Sequence, residues 1–376
     1  MDGTFSVTWT HRLRFTRNVL DPDNSLIDSL IPAQPRPIRV LSILDSGLVE
    51  AQPTLVNQLD RWLTPRAEQL VPAGPPLILP GGEQAKTGWD AFEQTAQAIA
   101  KGHVCRQSLV LIFGGGAVLD AAGFAAATSH RGVKVIRLPS TTLAQGDSGV
   151  GVKNAINAFG TKNFLGTFAP PHAVVNDTSL LASLDDRHWR GGLSEAVKVS
   201  LLKDPDLLQL IEQNTQPLLN RDLQTMEDVL IESARLHLDH IVNGGDPFEN
   251  EEARPLDLGH WSAHRMEAIS EWQLSHGDAV AIGLALDITY ATKIGMLPEA
   301  KAQRVIECLR ALGFLESTPT LDDPDTLLQG LEEFREHLGG QLAVPLVSDI
   351  GVATEVDEIN MSAMRDSIRD LRETIS

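Results

Sequence analysis

Cysteine is nearly missing from this chain. Cys105 and Cys308 are the only two in 376 residues, and neither lies in a Cys-x-x-Cys pair. No disulfide framework can be read from them, and a reducing, cytoplasmic setting is expected. Long apolar runs are missing as well. LVLIF and AVAIGLAL fall far short of the ~20 residues that span a bilayer, and MDGTFSVTWTHRLRFTRNV lacks the continuous apolar core of a secretory signal. No membrane partner is expected. Positive charge is scarce: 31 Lys and Arg against 50 Asp and Glu give a net charge of −19. That speaks against nucleic acid as a partner of the whole surface, while leaving a local basic pocket open. Low-complexity tracts and internal repeats are also absent. What remains is an ordinary globular composition, 42% hydrophobic, in a chain long enough for about two domains.

The first half alternates short apolar runs with helical patterns. PIRVLSIL (37–44), PLILPGGE (76–83), SLVLIFGGG (108–116) and GVKVIRLPS (132–140) read as buried strands. LVNQLDRWL (55–63) and WDAFEQTAQAIAKG (89–102) read as helices between them. Strand and helix in alternation predict a parallel sheet covered by helices. From about residue 175 the apolar period becomes helical throughout. The expected organisation is an α/β domain over 1–173 and a helical domain over 174–376, split after Pro170-Pro171. A cleft between two such domains is the default place for a ligand.

Several short stretches carry possible chemistry. Gly114-Gly115-Gly116 follows a strand, with Asp120 expected to open the next helix. Such glycines let backbone N–H groups approach a phosphate, or simply make a tight turn. Asp45 ends another strand, where an acid can bind a ribose hydroxyl or serve as a turn residue. Glu83 and Lys86 could clamp a nucleotide or cap a helix. DSGVGVKNAINAFGTKNFLG (147–166) reads as a loop in which Asp147, Lys153, Lys162 and Asn163 could converge on a small anion, or lie solvated. RGGLSEAVKVSLLKD (190–204) reads as a helix after a glycine start. Its Glu195 and Lys198 are neighbours, forming either an ion pair or a metal-binding carboxylate beside a substrate-facing lysine. Three histidines fall close together: His260 and His264 at i, i+4, and His276 twelve residues later, before a run apolar nearly all round. The spacing suits one metal or one anion, or buried hydrogen-bonded histidines; it is not His-Glu-x-x-His.

Together, Gly-Gly-Gly-x-x-x-Asp, AAGFAAATSHRGV, LPSTTLAQGDSGVGVK, GTKNFLGTF, GLSEAVK, LGHWSAH and SHGDAVAIG resemble the sugar-phosphate cyclases, the superfamily of 3-dehydroquinate synthase, over roughly residues 37–352. The resemblance implies a Rossmann-like NAD-binding α/β domain, a helical metal-binding domain, and a homodimer. It implies a divalent metal, Zn2+ or alternatively Co2+, on Glu195, His260 and His276. His264 would lie near the departing phosphate, and Lys153, Asn163 and Arg131 would bind phosphate, Arg131 from the second subunit. Asp147, Lys162 and Lys198 would hold substrate hydroxyls near the nicotinamide. Asp45, Glu83, Lys86, Gly115, Gly116, Asp120, Thr141, Thr142 and Lys162 fall at or beside cofactor positions. The implied reaction oxidises an alcohol of a bound sugar phosphate, eliminates phosphate, returns the hydride, and closes a carbocycle by aldol addition.

The chain departs from 3-dehydroquinate synthase where that enzyme grips a substrate carboxylate. The lysine and arginine positions hold Asp239 and Ala253, with Arg254 adjacent, and an asparagine position holds Asp257. A carboxylate beside these acids is repelled and lacks its bidentate partner. LDPDN and His337-x-Gly-Gly resemble the branch that cyclises sedoheptulose 7-phosphate, but that branch usually lacks the histidine present here as His264. The mixture is similar to cyclases of ebo-type gene clusters. The expected substrate is a heptulose phosphate without a carboxylate, such as sedoheptulose 7-phosphate. Alternatives are 3-dehydroquinate synthase using Arg254, a polyol dehydrogenase with net NADH production, and a non-catalytic NAD- and metal-binding scaffold.

Overall fold

A computed structural model describes residues 2–32, 36–248, 255–337 and 340–375. Ala253, Arg254 and Gly339 lie outside the described residues. The chain forms two compact units, Met1–Asp185 with Ile241–Asn243, and Asp186–His240 with Gly244–Ser376. The sequence-based boundary at 173/174 meets the first residue of a strand, and the first unit continues through Asp185.

The first unit holds strands β1 (Leu13–Thr16), β2 (Ile38–Asp45), β3 (Leu70–Pro72), β4 (Leu77–Leu79), β5 (Leu109–Gly114), β6 (Lys134–Pro139), β7 (Lys153–Ala158), β8 (Thr161–Phe168) and β9 (Ala173–Asp177). Seven of them make one sheet in the order β1-β9-β6-β5-β2-β3, with β4 also paired to β2. Every pair in it is parallel. The helices are α1 (Leu26–Leu30), α2 (Ser46–Ala51), α3 (Leu55–Leu63), α4 (Asp90–Lys101) and α5 (Gly116–Thr128).

Side chains of a strand alternate between faces, and both faces of this sheet are covered. Leu109, Leu111 and Phe113 join one core with Leu55, Leu59 and Trp62 of α3. Val110 and Ile112 join a second core with Ile99 of α4 and Val118, Leu119, Ala121 and Ala122 of α5. The near-continuous apolar runs in the sequence are strands buried on both sides.

The second unit is helical, with one antiparallel ribbon added. Its helices are α6 (Asp186–Lys203), α7 (Pro205–Gln213), α8 (Thr215–Leu219), α9 (Leu223–Asn243), α10 (His260–Ile269), α11 (His276–Lys293), α12 (Glu299–Ala311), α13 (Pro324–His337) and α14 (Met361–Ile375). The ribbon pairs β10 (Val344–Asp349) with β11 (Val352–Val356). Helix α11 is buried on nearly every side, from Gly277 to Ala291, as its unbroken apolar run implies. Helix α6 begins at Asp186, so Gly191 and Gly192 lie inside it rather than before it. No helix among the described residues is long and apolar enough to cross a membrane.

Candidate functional site

In the first unit the strand order reverses at β2. The chain leaves β2 for the β3/β4 edge and returns on its other side as β5. Such a reversal opens a crevice at the C-terminal strand ends, where open α/β sheets bind ligands. Asp45 ends β2 at this point and is buried. Its Oδ1 accepts the Gly47 N–H at 2.8 Å, capping α2, and its Oδ2 accepts the Gly115 N–H at 3.4 Å. A Cβ on Gly81 would lie 2.3 Å from Asp45 Oδ1, so only glycine fits beside it. Gly116 opens α5, which therefore starts at the glycine triplet; Asp120 sits one turn further in, a correction to the expected helix start. Lys86 is buried with Nζ 2.6 Å from Asp120 Oδ2. Glu83 Oε1 accepts from Asn157 Nδ2 at 2.6 Å. Neither residue caps a helix; both tie the turn after β4 to its neighbours. Thr141 Oγ1 accepts the Ala144 N–H at 3.1 Å, and Thr142 is buried beside it.

The segment 147–166 is not an open loop. A π-helical turn, Ala144–Ser148, carries Asp147, and the hairpin β7–β8 follows. Asn154, Ala155, Ile156 and Ala158 are buried, so β7 is a strand covered on both faces where the polar residues suggested a loop. Lys153 pairs in register with Phe168 at one end, while Lys162 and Asn163 follow the turn at the other. Four to five residues of strand, roughly 15 Å, separate the two ends along the hairpin. Lys153 therefore stands at the opposite end of the hairpin from Lys162 and Asn163. Arg131 is exposed, at φ +62° after His130 at φ +52°.

The second unit does bring its expected residues together. Gly277, the second residue of α11, touches Gly191 of α6: a Cβ on Gly277 would lie 2.5 Å from Gly191 O. Arg190 Nη2 binds Asp278 Oδ1 at 2.9 Å across the same junction. Ser275 caps α11: its Oγ accepts the Asp278 N–H and donates to Asp278 Oδ2, which fixes His276 as the first helical residue. Gly259, at φ +77°, starts α10 so close to α11 that a Cβ would lie 2.8 Å from Leu284 N. Its neighbour His260 is the first residue of α10. The two junctions converge Glu195, His260 and His276.

His276 Nε2 lies 3.2 Å and His260 Nε2 3.5 Å from the same atom, Glu195 Oε1. Tetrahedral zinc ligands at about 2.0–2.1 Å from the metal stand about 3.3 Å apart, so the trio has the right size. Its protonation also fits. His260 Nδ1 faces Leu258 O at 3.0 Å, and His276 Nδ1 faces Glu267 Oε2 at 3.3 Å. Donating there leaves both Nε2 lone pairs aimed at Glu195. Three acceptors aimed at one point call for a cation between them. Burial alone would push the Glu195 carboxyl up, but the Lys198 ammonium beside it holds it well below the usual carboxylate range. Lys198 Nζ is 2.5 Å from Glu195 Oε2, and both are buried, so the ion pair suggested by the spacing forms in the interior rather than at the surface. His264 joins the cluster, its ring centroid 5.4 Å from His260 and 6.0 Å from His276.

Two residues escaped the sequence reading. Glu267 lies on the His260/His264 face of α10, at i+7 and i+3, a pattern that was available. Together with His264 and His276 it forms a second cluster of potential metal ligands. Asp287 gave no signal, since only the folded chain carries it to Gly259 N (2.8 Å) and Trp261 Nε1 (2.9 Å). Burial pushes its carboxyl up to about 7, against the lowering effect of those two donors. Unfolded, it titrates near 3.8, so the folded state holds the extra proton between these values. Stability therefore falls as pH rises from about 4 to about 7 and then levels. Relative to Asp287→Asn, the wild type is expected to lose about 3 kcal/mol between pH 5 and pH 8, read as urea midpoints; a constant difference would contradict the assignment.

A parallel α/β unit with a glycine-lined crevice and a helical unit with a carboxylate–histidine trio are the parts of a two-domain, nucleotide- and metal-dependent type of enzyme. Family models for the 3-dehydroquinate synthase N-terminal and C-terminal domains match residues 76–191 and 192–333, and the chain belongs to the 3-dehydroquinate synthase family, within the sugar-phosphate cyclases. It is 35% identical to a 3-dehydroquinate synthase of Halorhodospira halophila, over 78% of this chain and 82% of that one. It is 32% identical to a 2-epi-valiolone synthase of Actinosynnema mirum, over 77% and 76%. ValA, a 2-epi-5-epi-valiolone synthase of Streptomyces hygroscopicus solved with NAD+ and Zn2+ bound, superposes with a TM-score of 0.89 at 27% identity, over all of both chains.

Proposed function

We propose that this enzyme is an NAD- and divalent-metal-dependent cyclase of a heptulose phosphate that carries no carboxylate, sedoheptulose 7-phosphate being the leading candidate. The observation that carries the metal-dependent part is the convergence of both Nε2 atoms on Glu195 Oε1. When bound, the cofactor takes up and returns a hydride at one substrate carbon, and the metal ion lowers the pKa of the alcohol there. Glu195, His260 and His276 would hold the ion, most simply Zn2+. Lys198 keeps Glu195 ionised and is assigned to a substrate hydroxyl. Asp45, Gly115 and Gly116 mark the crevice expected to take the cofactor, with Glu83, Lys86, Asp120, Thr141 and Thr142 around it.

Lys153 is assigned to the phosphate, together with His264. Lys162, at the other end of the hairpin, is assigned to the cofactor and a substrate hydroxyl, and Asn163 to the phosphate. Asp147 accepts from a substrate hydroxyl. Once the alcohol is a ketone, the adjacent C–H is acidic and phosphate departs by elimination; the returned hydride and an aldol closure complete a cycle without net redox change.

The preference against a carboxylate rests on Asp239 and Asp257. Both positions are acidic where 3-dehydroquinate synthase is expected to use lysine and asparagine. The relatives themselves divide between 3-dehydroquinate and valiolone synthases. The test of reaction class is phosphate release from sedoheptulose 7-phosphate with NAD+ and Zn2+ present. One phosphate per product without accumulating NADH is expected; stoichiometric NADH would instead mark a polyol dehydrogenase.

Arg131 is proposed to act from the second copy of a homodimer. If so, Arg131→Ala and Lys153→Ala fail separately but complement when mixed, because a mixed dimer has one intact site. Random reassociation should then restore about a quarter of wild-type activity. Absence of any recovery in verified mixed dimers would place Arg131 in its own subunit's site.

A further inference from the structure

Arg137 stands in the middle of β6 and is 1% exposed. Its guanidinium makes four hydrogen bonds. Nη1 donates to Gly149 O (3.1 Å) and Gly151 O (2.7 Å), and Nη2 donates to Lys153 O (2.9 Å) and Asn154 Oδ1 (2.8 Å). All four acceptors are neutral. Burial pushes the guanidinium pKa down, and the charge of Asp120 offsets this only in part. A buried cation among neutral acceptors is costly for stability, and a chain selected for stability alone would do as well with an apolar residue.

The acceptors identify what the cation is for. Gly149, Gly151 and Lys153 are alternate residues of the segment that joins the π-helical turn to β7. Asp147 lies at one end of that segment and Lys153 at the other. Within it, the Val150 and Gly151 N–H groups both turn back to Asp147 O, at 2.9 and 3.3 Å. The fourth acceptor is itself built in. Asn154 Nδ2 donates to Val152 O and Ala169 O, and Asn154 fits only because position 123 of α5 is glycine, where a Cβ would lie 2.1 Å from Asn154 Oδ1. Only arginine offers enough donors in a fixed fork for this set; glutamine has two and lysine's three radiate from one point.

We infer that Arg137 is a positioning residue: from beneath the segment it sets the backbone of residues 149–153 and thereby the placement of Asp147 and Lys153. The catalytic consequence rests on the roles proposed above for those two residues; the conformational consequence does not. The test uses the full-length protein with NAD+ and Zn2+ and compares wild type, Arg137→Gln, Arg137→Lys and Asn154→Ala. Hydrogen exchange at the Val150 and Gly151 amides is expected to quicken more than about tenfold in both Arg137 variants, while the Gly47 amide is unchanged. With sedoheptulose 7-phosphate, kcat should fall about 100-fold with little change in KM, as displaced catalytic groups do. Asn154→Ala, which keeps the cation and removes one acceptor, should be intermediate in both readouts. Unchanged exchange at 150–151 in a folded variant, or full kcat in Arg137→Lys, overturns the inference. If wild type turns over no heptulose phosphate, the functional reading fails and the exchange measurement alone still decides the clamp.

Discussion

Replacing Glu195 by glutamine is expected to remove metal binding and lower kcat/KM at least about 1,000-fold. Glutamine keeps the shape of the side chain and removes its charge. The two Nε2 lone pairs then face an amide, which coordinates a divalent ion far more weakly than a carboxylate does. The same change leaves the Lys198 ammonium buried without the carboxylate 2.5 Å away. Breaking a buried pair from one side typically costs about 3–5 kcal/mol. Two effects should therefore separate. In metal-free protein the variant is less stable than wild type, and Zn2+ raises the melting temperature of wild type only. Adding Lys198→Gln should recover stability without recovering zinc. Zinc content and melting curves with and without chelator measure both; a Glu195→Gln protein that still holds one zinc per chain would remove the trio from the metal site.

The second large effect is expected at Gly259→Ala. A left-handed backbone costs a residue with a Cβ about 1–2 kcal/mol. The added Cβ would also lie 2.8 Å from Leu284 N, a backbone atom inside the buried helix α11 that cannot swing away. The combined loss is put at about 3 kcal/mol or more, because α10 must move off α11. His260 begins α10 and moves with it, so zinc affinity should drop together with stability. Gly295→Ala is the matched control: Gly295 has φ +76°, almost the same as Gly259, with nothing within 4 Å of an added Cβ. Only the backbone contribution acts there, and zinc binding should be unchanged. Equal destabilisation by the two variants would mean that the α10–α11 contact contributes nothing.

The sequence made the parallel sheet legible because its strands are apolar on both faces, and Leu109–Gly114 ends on glycines visible as a triplet. It made the trio proposed to hold the metal legible because residue types and a known ordering of motifs coincide at Glu195, His260 and His276. It misled at residues 147–166, where lysine, asparagine and glycine suggested a loop while the buried Ala155 and Ile156 make a strand. Asp45 caps α2 through Gly47, the local turn reading that the sequence offered beside the ribose one, whereas Lys86 sits on Asp120, a contact between residues 34 apart that no local pattern records. Arg137 and Asp287 were invisible for the same reason. Each is a charged residue in an apolar stretch whose partners arrive from elsewhere in the chain.

The choice of substrate is tested most directly by competition. With NAD+ and Zn2+ present, kcat/KM for phosphate release is measured for sedoheptulose 7-phosphate and for 3-deoxy-arabino-heptulosonate 7-phosphate. On the proposed reading, with Asp239 and Asp257 in the positions that would meet a substrate carboxylate, that carboxylate should cost about 100-fold or more, so sedoheptulose 7-phosphate is expected to be preferred by at least that ratio. Equal or better turnover of the heptulosonate would contradict the reading and return the enzyme to 3-dehydroquinate synthesis.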